Sequence, residues 1–193
     1  MNDSRKPTRQ QLDEAYGKTV PDVIVPRLKI LFVGINPSLY SAAVGHHFAR
    51  PGNRFFSALS ASGITPRRLT GFQDRELLQS DCGITNICDA ATARADEISA
   101  DELSRGLKKL IRKIRRFRPE HAVFLGMTAY RTAFGRREVR IGRQNENLAG
   151  ATLWVLPNPS GLNAHYQLEA FSRLFADLRD AVWSEGAAST PPV

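Results

Sequence analysis

The sequence predicts an α/β domain: a three-layer sandwich in which a central, mainly parallel four-stranded sheet is flanked by helices. Three observations carry this. Short apolar runs of strand length alternate along the chain with segments of helical spacing. Such alternation favours parallel strands, because each crossover helix covers the sheet it has just left. Polar punctuation follows the strands, with Asn-Pro at two of the ends, and ligands in open parallel sheets bind beyond those carboxyl ends.

Residues 28–33 form a compact, mostly apolar run that stops at Gly34 and read as a buried strand. Phe55, Phe56 and Leu59 follow helical spacing within 53–62, which assigns both phenylalanines to the core. A second strand is expected over 83–87. Ser99 and Glu102 form a capping box ahead of Leu103, Leu107, Leu110, Ile111, Ile114 and Phe117, an amphipathic helix. Residues 122–125 and 152–156 give the third and fourth strands, with a helix near 128–134 between them. Leu168, Phe171, Leu174, Phe175, Leu178 and Val182 mark a closing helix, and a short one is expected around 10–16. Residues 1–20 read as a polar arm, 21–183 as one domain, and 184–193 as a flexible tail of small residues and a proline pair.

Composition narrows the class. The chain has 193 residues, 42% of them hydrophobic, enough for one substantial core. No apolar run reaches the ~18 residues of a membrane span, and the first residues lack a signal peptide's apolar stretch. Cys82 and Cys88 are the two cysteines, too few for an iron–sulfur cluster and wrongly spaced for a zinc or redox pair. A cytoplasmic protein with reduced, structural thiols is expected. The net charge of +8 and pI near 10.0 favour a polyanionic partner, although a basic surface can also serve solubility.

The strand ends sharpen this. The first runs into Asn36-Pro37-Ser38, the second into Thr85-Asn86, and the fourth into Asn158-Pro159-Ser160-Gly161. If these strands are parallel, three asparagines meet on one rim. A ring of neutral amides can read a nucleobase edge or hold a water molecule, but supplies no strong general base. A single Asn-Pro would merely punctuate a loop; its repetition at two strand ends points to a site.

Two longer motifs carry a family resemblance. Gly34-Ile35-Asn36-Pro37-Ser38, continued by Gly45-His46-His47-Phe48-Ala49-Arg50-Pro51-Gly52-Asn53-Arg54-Phe55-Phe56, resembles the first motif of the mismatch-specific uracil/thymine DNA glycosylases. Leu156-Pro157-Asn158-Pro159-Ser160-Gly161-Leu162 resembles the second motif of the bacterial members, and the intervening Gly83-Ile84-Thr85-Asn86 and Leu125-Gly126-Met127-Thr128-Ala129-Tyr130 fall in order. The likeness runs from about Lys29 to Val182. It implies a uracil-DNA glycosylase-like fold and a monomeric base-excision repair enzyme on double-stranded DNA carrying G·U or related mismatches, nucleoid-associated in a bacterium. Asn36 would hold the attacking water. Phe48 would stack on the flipped base while backbone groups of Ile35 and Phe48 read its edge. Asn158 and Ser160 would line the pocket, and Gly161 and Leu162 would form the wedge that fills the vacated stack.

This chain departs from relatives at Asn86, where some carry Lys, and at Asn163-Ala164-His165, where some carry Ser-Arg. Those changes bear on the base pocket and on the wedge's cationic contact. Asp89 is a lesser candidate for activating water. Neither a metal nor an organic cofactor is expected, since His46 and His47 are adjacent and lack a ligand-spaced partner. Among the basic residues, Arg50, Arg54, Arg67 and Arg68 are the better candidates for DNA contact. The cationic face of the 99–118 helix (Arg105, Lys108, Lys109, Arg112, Lys113, Arg115, Arg116 and Arg118) reads as solvated, and so does a basic loop of Arg136, Arg137, Arg140 and Arg143. Two other readings compete: a non-catalytic binder of flipped bases, and a small-molecule nucleotide protein. The second is weakened by the absence of a Gly-rich phosphate loop.

Overall fold

The computed structural model describes residues 6–161 and 166–187. Five strands form one sheet: β1 (Ile30–Gly34), β2 (Cys82–Asn86), β3 (His121–Leu125), β4 (Gly142–Leu148) and β5 (Ala151–Leu156), in the order β2-β1-β3-β5-β4. Around it lie α1 (Arg9–Asp13), α2 (Leu39–Val44), α3 (Phe55–Ala61), α4 (Ala100–Phe117), α5 (Met127–Phe134) and α6 (Leu168–Ala187), with 3-10 segments at Gly71–Ser80 and Ala95–Glu97.

The four expected strands are present, and all their pairings with one another are parallel. The expected strand count is nevertheless wrong. β4 is a fifth strand, antiparallel to β5 at the sheet edge. Its sequence, GRQNENL, has no apolar face, and it alternates only between half-buried and exposed positions, so no apolar two-residue period announces it. Arg143 therefore lies in a strand rather than in a basic loop. Ala149 and Gly150, at φ 52° and 98°, make the two-residue turn into β5 with the positive-φ pair that favoured hairpins need. Polar side chains suit an edge that must not pair with another chain.

The buried face-splitting of β1 explains the layers. Ile30 and Phe32 pack with Phe55 and Leu59 of α3 and Phe171, Phe175 and Leu178 of α6. Leu31 and Val33 pack with Leu103, Leu110 and Ile114 of α4 and with Phe124 and Tyr130. Each such fully buried side chain contributes about 1.5–3 kcal/mol relative to exposure. Ser99 caps α4 reciprocally with Glu102, at 3.2 and 2.9 Å. Gly106 lets α4 settle on the end of β2, because a Cβ there would lie 2.2 Å from the Ile87 carbonyl oxygen. One residue of the basic face departs from the solvated reading. Lys113 donates to Thr85 Oγ1 at 2.6 Å and pairs with Asp22 Oδ2 at 2.5 Å, only 19% of its side chain being exposed. Among the described residues, no helix is long and apolar enough to cross a membrane.

Candidate active site

Parallel pairing sets Gly34 beside Asn86. A Cβ on Gly34 would lie 2.4 Å from Asn86 Oδ1 and 3.3 Å from Phe48 Cζ. Glycine is thus what lets an amide and an aromatic ring close on the end of β1.

Beyond it the chain enters Asn36-Pro37-Ser38, and the Ser38 hydroxyl caps α2 by accepting from Ser41 N at 3.2 Å. Asn36 Nδ2 donates to Thr92 Oγ1 at 2.8 Å and to the Ala90 carbonyl at 3.2 Å. The Thr92 hydroxyl donates onward to the Arg94 carbonyl at 2.7 Å. Both amide protons are thereby committed, which leaves Oδ1 as the acceptor of the side chain. The loop that receives them is itself braced. Gly17 N donates to the Ala91 carbonyl and Ala91 N to the Lys18 carbonyl, both at 2.8 Å. Ala15 and Val20 pack there with Ala42 and Ala91.

The segment after α2 turns on Gly45, at φ 75°, and places His46, His47 and Phe48. Asp74, buried, accepts from His47 N at 2.9 Å and contacts His46 Nδ1 at 3.1 Å. Phe48 has φ 51°, and its ring lies 4.3 Å from that of Phe55. His47 is 2% exposed. Its Nε2 faces the Pro21 carbonyl at 3.0 Å, and a carbonyl can only accept, so Nε2 carries the proton. Nδ1 is then bare and accepts from Asn86 Nδ2 across a long 3.5 Å. Burial holds the His47 pKa below its ordinary 6.5, which keeps the ring neutral in that tautomer.

The second motif closes on itself. Asn158 Oδ1 accepts from Ser160 N at 3.0 Å. Arg54 donates from its backbone N to the Pro159 carbonyl at 2.9 Å and from Nη1 to the Ser160 carbonyl at 3.1 Å. A Cβ on Gly161 would sit 2.7 Å from the Gly52 carbonyl oxygen. Arg54, expected at the DNA, thus also ties the two motif loops together. Arg67 pairs with Glu76.

Ile35, Asn36, Phe48, Asn86, Asn158 and Ser160 line one cleft of about 570 Å³, a volume suited to a single base or similar ligand. Leu162, Asn163 and His165 lie outside the described residues. Asp89 does not line the cleft; its carboxylate accepts from Lys109 at 3.0 Å. Among the described residues the lining carboxylate is Asp96, held by Arg94 through contacts of 3.0 and 2.6 Å. Sequence reasoning missed Thr92, Arg94 and Asp96, and no motif flags them. Among the described residues, no cluster of three or more metal-binding side chains occurs. Burial pushes the Cys82 thiol up to about 12 and Cys88 to about 11, the opposite of what a thiolate nucleophile needs.

A solution NMR structure from Methanosarcina acetivorans, described as a "putative Uracil DNA glycosylase", is similar to this chain at 20% identity and a TM-score of 0.46. The match covers 84% of this chain and 98% of that one. Residues 21–179 match the family model for the uracil DNA glycosylase superfamily. The chain therefore belongs to the uracil DNA glycosylase superfamily, a membership that implies a DNA substrate and N-glycosyl hydrolase activity of the uracil-excising, base-excision-repair type.

Proposed function

We propose that this protein is a mono-functional, mismatch-directed glycosylase that releases uracil from G·U pairs in duplex DNA. The observation that carries the reading is the Asn36 amide. With both N–H groups spent on the 90–92 loop, Oδ1 is left to accept from a water and aim its oxygen lone pair at the anomeric carbon. An amide orients water without deprotonating it, so catalysis depends on position and on stabilising the leaving group. The C1′–N bond breaks with its electron pair departing on the base, C1′ becomes oxocarbenium-like, and the water oxygen then bonds to it. The water's proton passes to solvent, leaving an abasic site and free base.

Phe48 offers the face on which the extruded base stacks, its ring backed by Phe55 at 4.3 Å. Backbone groups of Ile35 and Phe48 read the base edge, and Asn158 and Ser160 complete the wall. Gly161 and Leu162 supply the wedge, with Asn163 and His165 at the DNA backbone. Weak pairs are preferred because their extrusion costs least, and turnover is slow because no base activates the water. The protein acts as a monomer without metal or cofactor.

Incubation of the protein with a labelled G·U duplex, followed by alkali, tests this. Strand scission at the uracil is expected. A retarded complex without scission would instead mean a non-catalytic binder of flipped bases, and neither outcome would point to a small-molecule nucleotide protein.

A further inference from the structure

We infer that the cleft selects bases whose far edge carries a ring N–H, because Asn86 presents its carbonyl oxygen there and His47 holds it in that orientation. The inference rests on the glycosylase reading above and names the substrate class of the same site.

The register places Asn86 level with Gly34, two residues before Asn36. At about 3.3 Å per extended residue, the Asn86 amide lies up to roughly 6–7 Å deeper than the water-holding amide. That is the direction in which a base points when its glycosidic bond faces Asn36. Asn86 therefore meets the edge remote from the sugar.

Which end of the amide it shows follows from its neighbours. His47 donates from Nε2 to the Pro21 carbonyl at 3.0 Å and so can only accept at Nδ1. Asn86 Nδ2 faces that nitrogen at 3.5 Å, which turns Oδ1 toward the Gly34 backbone, 2.4 Å from where a Cβ would stand. Asn86 is one of the cleft-lining residues, and Oδ1 is not among the buried side-chain atoms that lack a partner. An acceptor at this depth matches the N3–H of uracil or the N1–H of hypoxanthine and xanthine. Ethenocytosine has no ring N–H, since its bridge occupies both nitrogens of the edge. Such a base would leave Oδ1 desolvated and unpaired, a penalty equal to at least about tenfold.

Hypoxanthine and ethenocytosine are both bicyclic, so comparing them separates the N–H from size. Single-turnover release by the full chain is measured on duplexes carrying uracil, hypoxanthine or ethenocytosine opposite guanine. For any base not released, its duplex is titrated as a competitor against labelled G·U duplex. Hypoxanthine should lead ethenocytosine by at least about tenfold in release or competition. In Asn86→Ala and His47→Gln that ratio should move toward parity, a shift that mere loss of stability would not produce. Parity in the wild type, or a lead for ethenocytosine, overturns the inference while leaving the glycosylase reading intact. Failure to release uracil overturns that reading instead.

Discussion

The side-chain amide of Asn36 donates to the hydroxyl of Thr92 at 2.8 Å, and that hydroxyl donates onward to the Arg94 carbonyl at 2.7 Å. The direction of the chain matters: a threonine proton already spent on a carbonyl leaves only lone pairs for Asn36, so the amide nitrogen must face it. Thr92→Val keeps the β-branched shape and removes the acceptor. It should slow single-turnover uracil release by about tenfold, roughly the worth of one such hydrogen bond, with little change in duplex affinity. Thr92→Ser should recover most of the rate. An unchanged rate in Thr92→Val would show that the amide is oriented by other means.

Gly34→Ala would place a methyl 2.4 Å from Asn86 Oδ1 and 3.3 Å from Phe48. Overpacking of this kind costs about 1–3 kcal/mol and here pushes apart the two side chains of the base pocket. A lowered melting temperature together with a larger fall in uracil release is expected. Wild-type release by Gly34→Ala would mean that the base does not enter between them.

Arg54 bridges the motif loops through the carbonyls of Pro159 and Ser160, which sets it apart from an arginine on phosphate. Loss of a phosphate contact lowers the slope of log affinity against log salt by about one. Arg54→Ala should weaken binding of G·U duplex and slow release while leaving that slope unchanged. A slope reduced by about one would assign Arg54 to the DNA backbone.

His47 gives a pH signature with a definite sign. Burial holds its folded pKa below the ordinary 6.5, so below that pH the unfolded chain binds more protons than the folded one. The stability is present above pH 6.5 and is lost as the pH falls through and below it. Thermal melts at pH 7 and pH 5 should show an acid-side loss that His47→Gln reduces. An identical loss in both proteins would trace the acid sensitivity to other groups.

Much of this was legible in the sequence because the relevant signals are local. The parallel strands were marked by apolar runs, α4 by its Ser99–Glu102 box, and the rim by asparagine at three strand ends. Membership of the uracil DNA glycosylase superfamily agrees with the motif resemblance at that broader level. β4 was missed because an edge strand of Gln, Asn and Glu buries no apolar face. α2 was missed although Ser38 and Gly45 bound it, since six residues are too few for a helical period to show. Thr92 and the buttressing role of His47 depend on contacts spanning 56 and 39 residues, which no motif encodes. Lys113 looked like one more surface cation until Asp22 and Thr85 came together around it.

Asn36→Ala, assayed on a G·U duplex by single-turnover release with duplex affinity measured alongside, bears most directly on the proposed role of the Asn36 amide. Release should fall below detection while affinity stays near the wild-type value, because the side chain orients water and adds little to the grip on DNA. Equal loss of release and binding would make Asn36 a structural residue, and retained release would place the attacking water elsewhere.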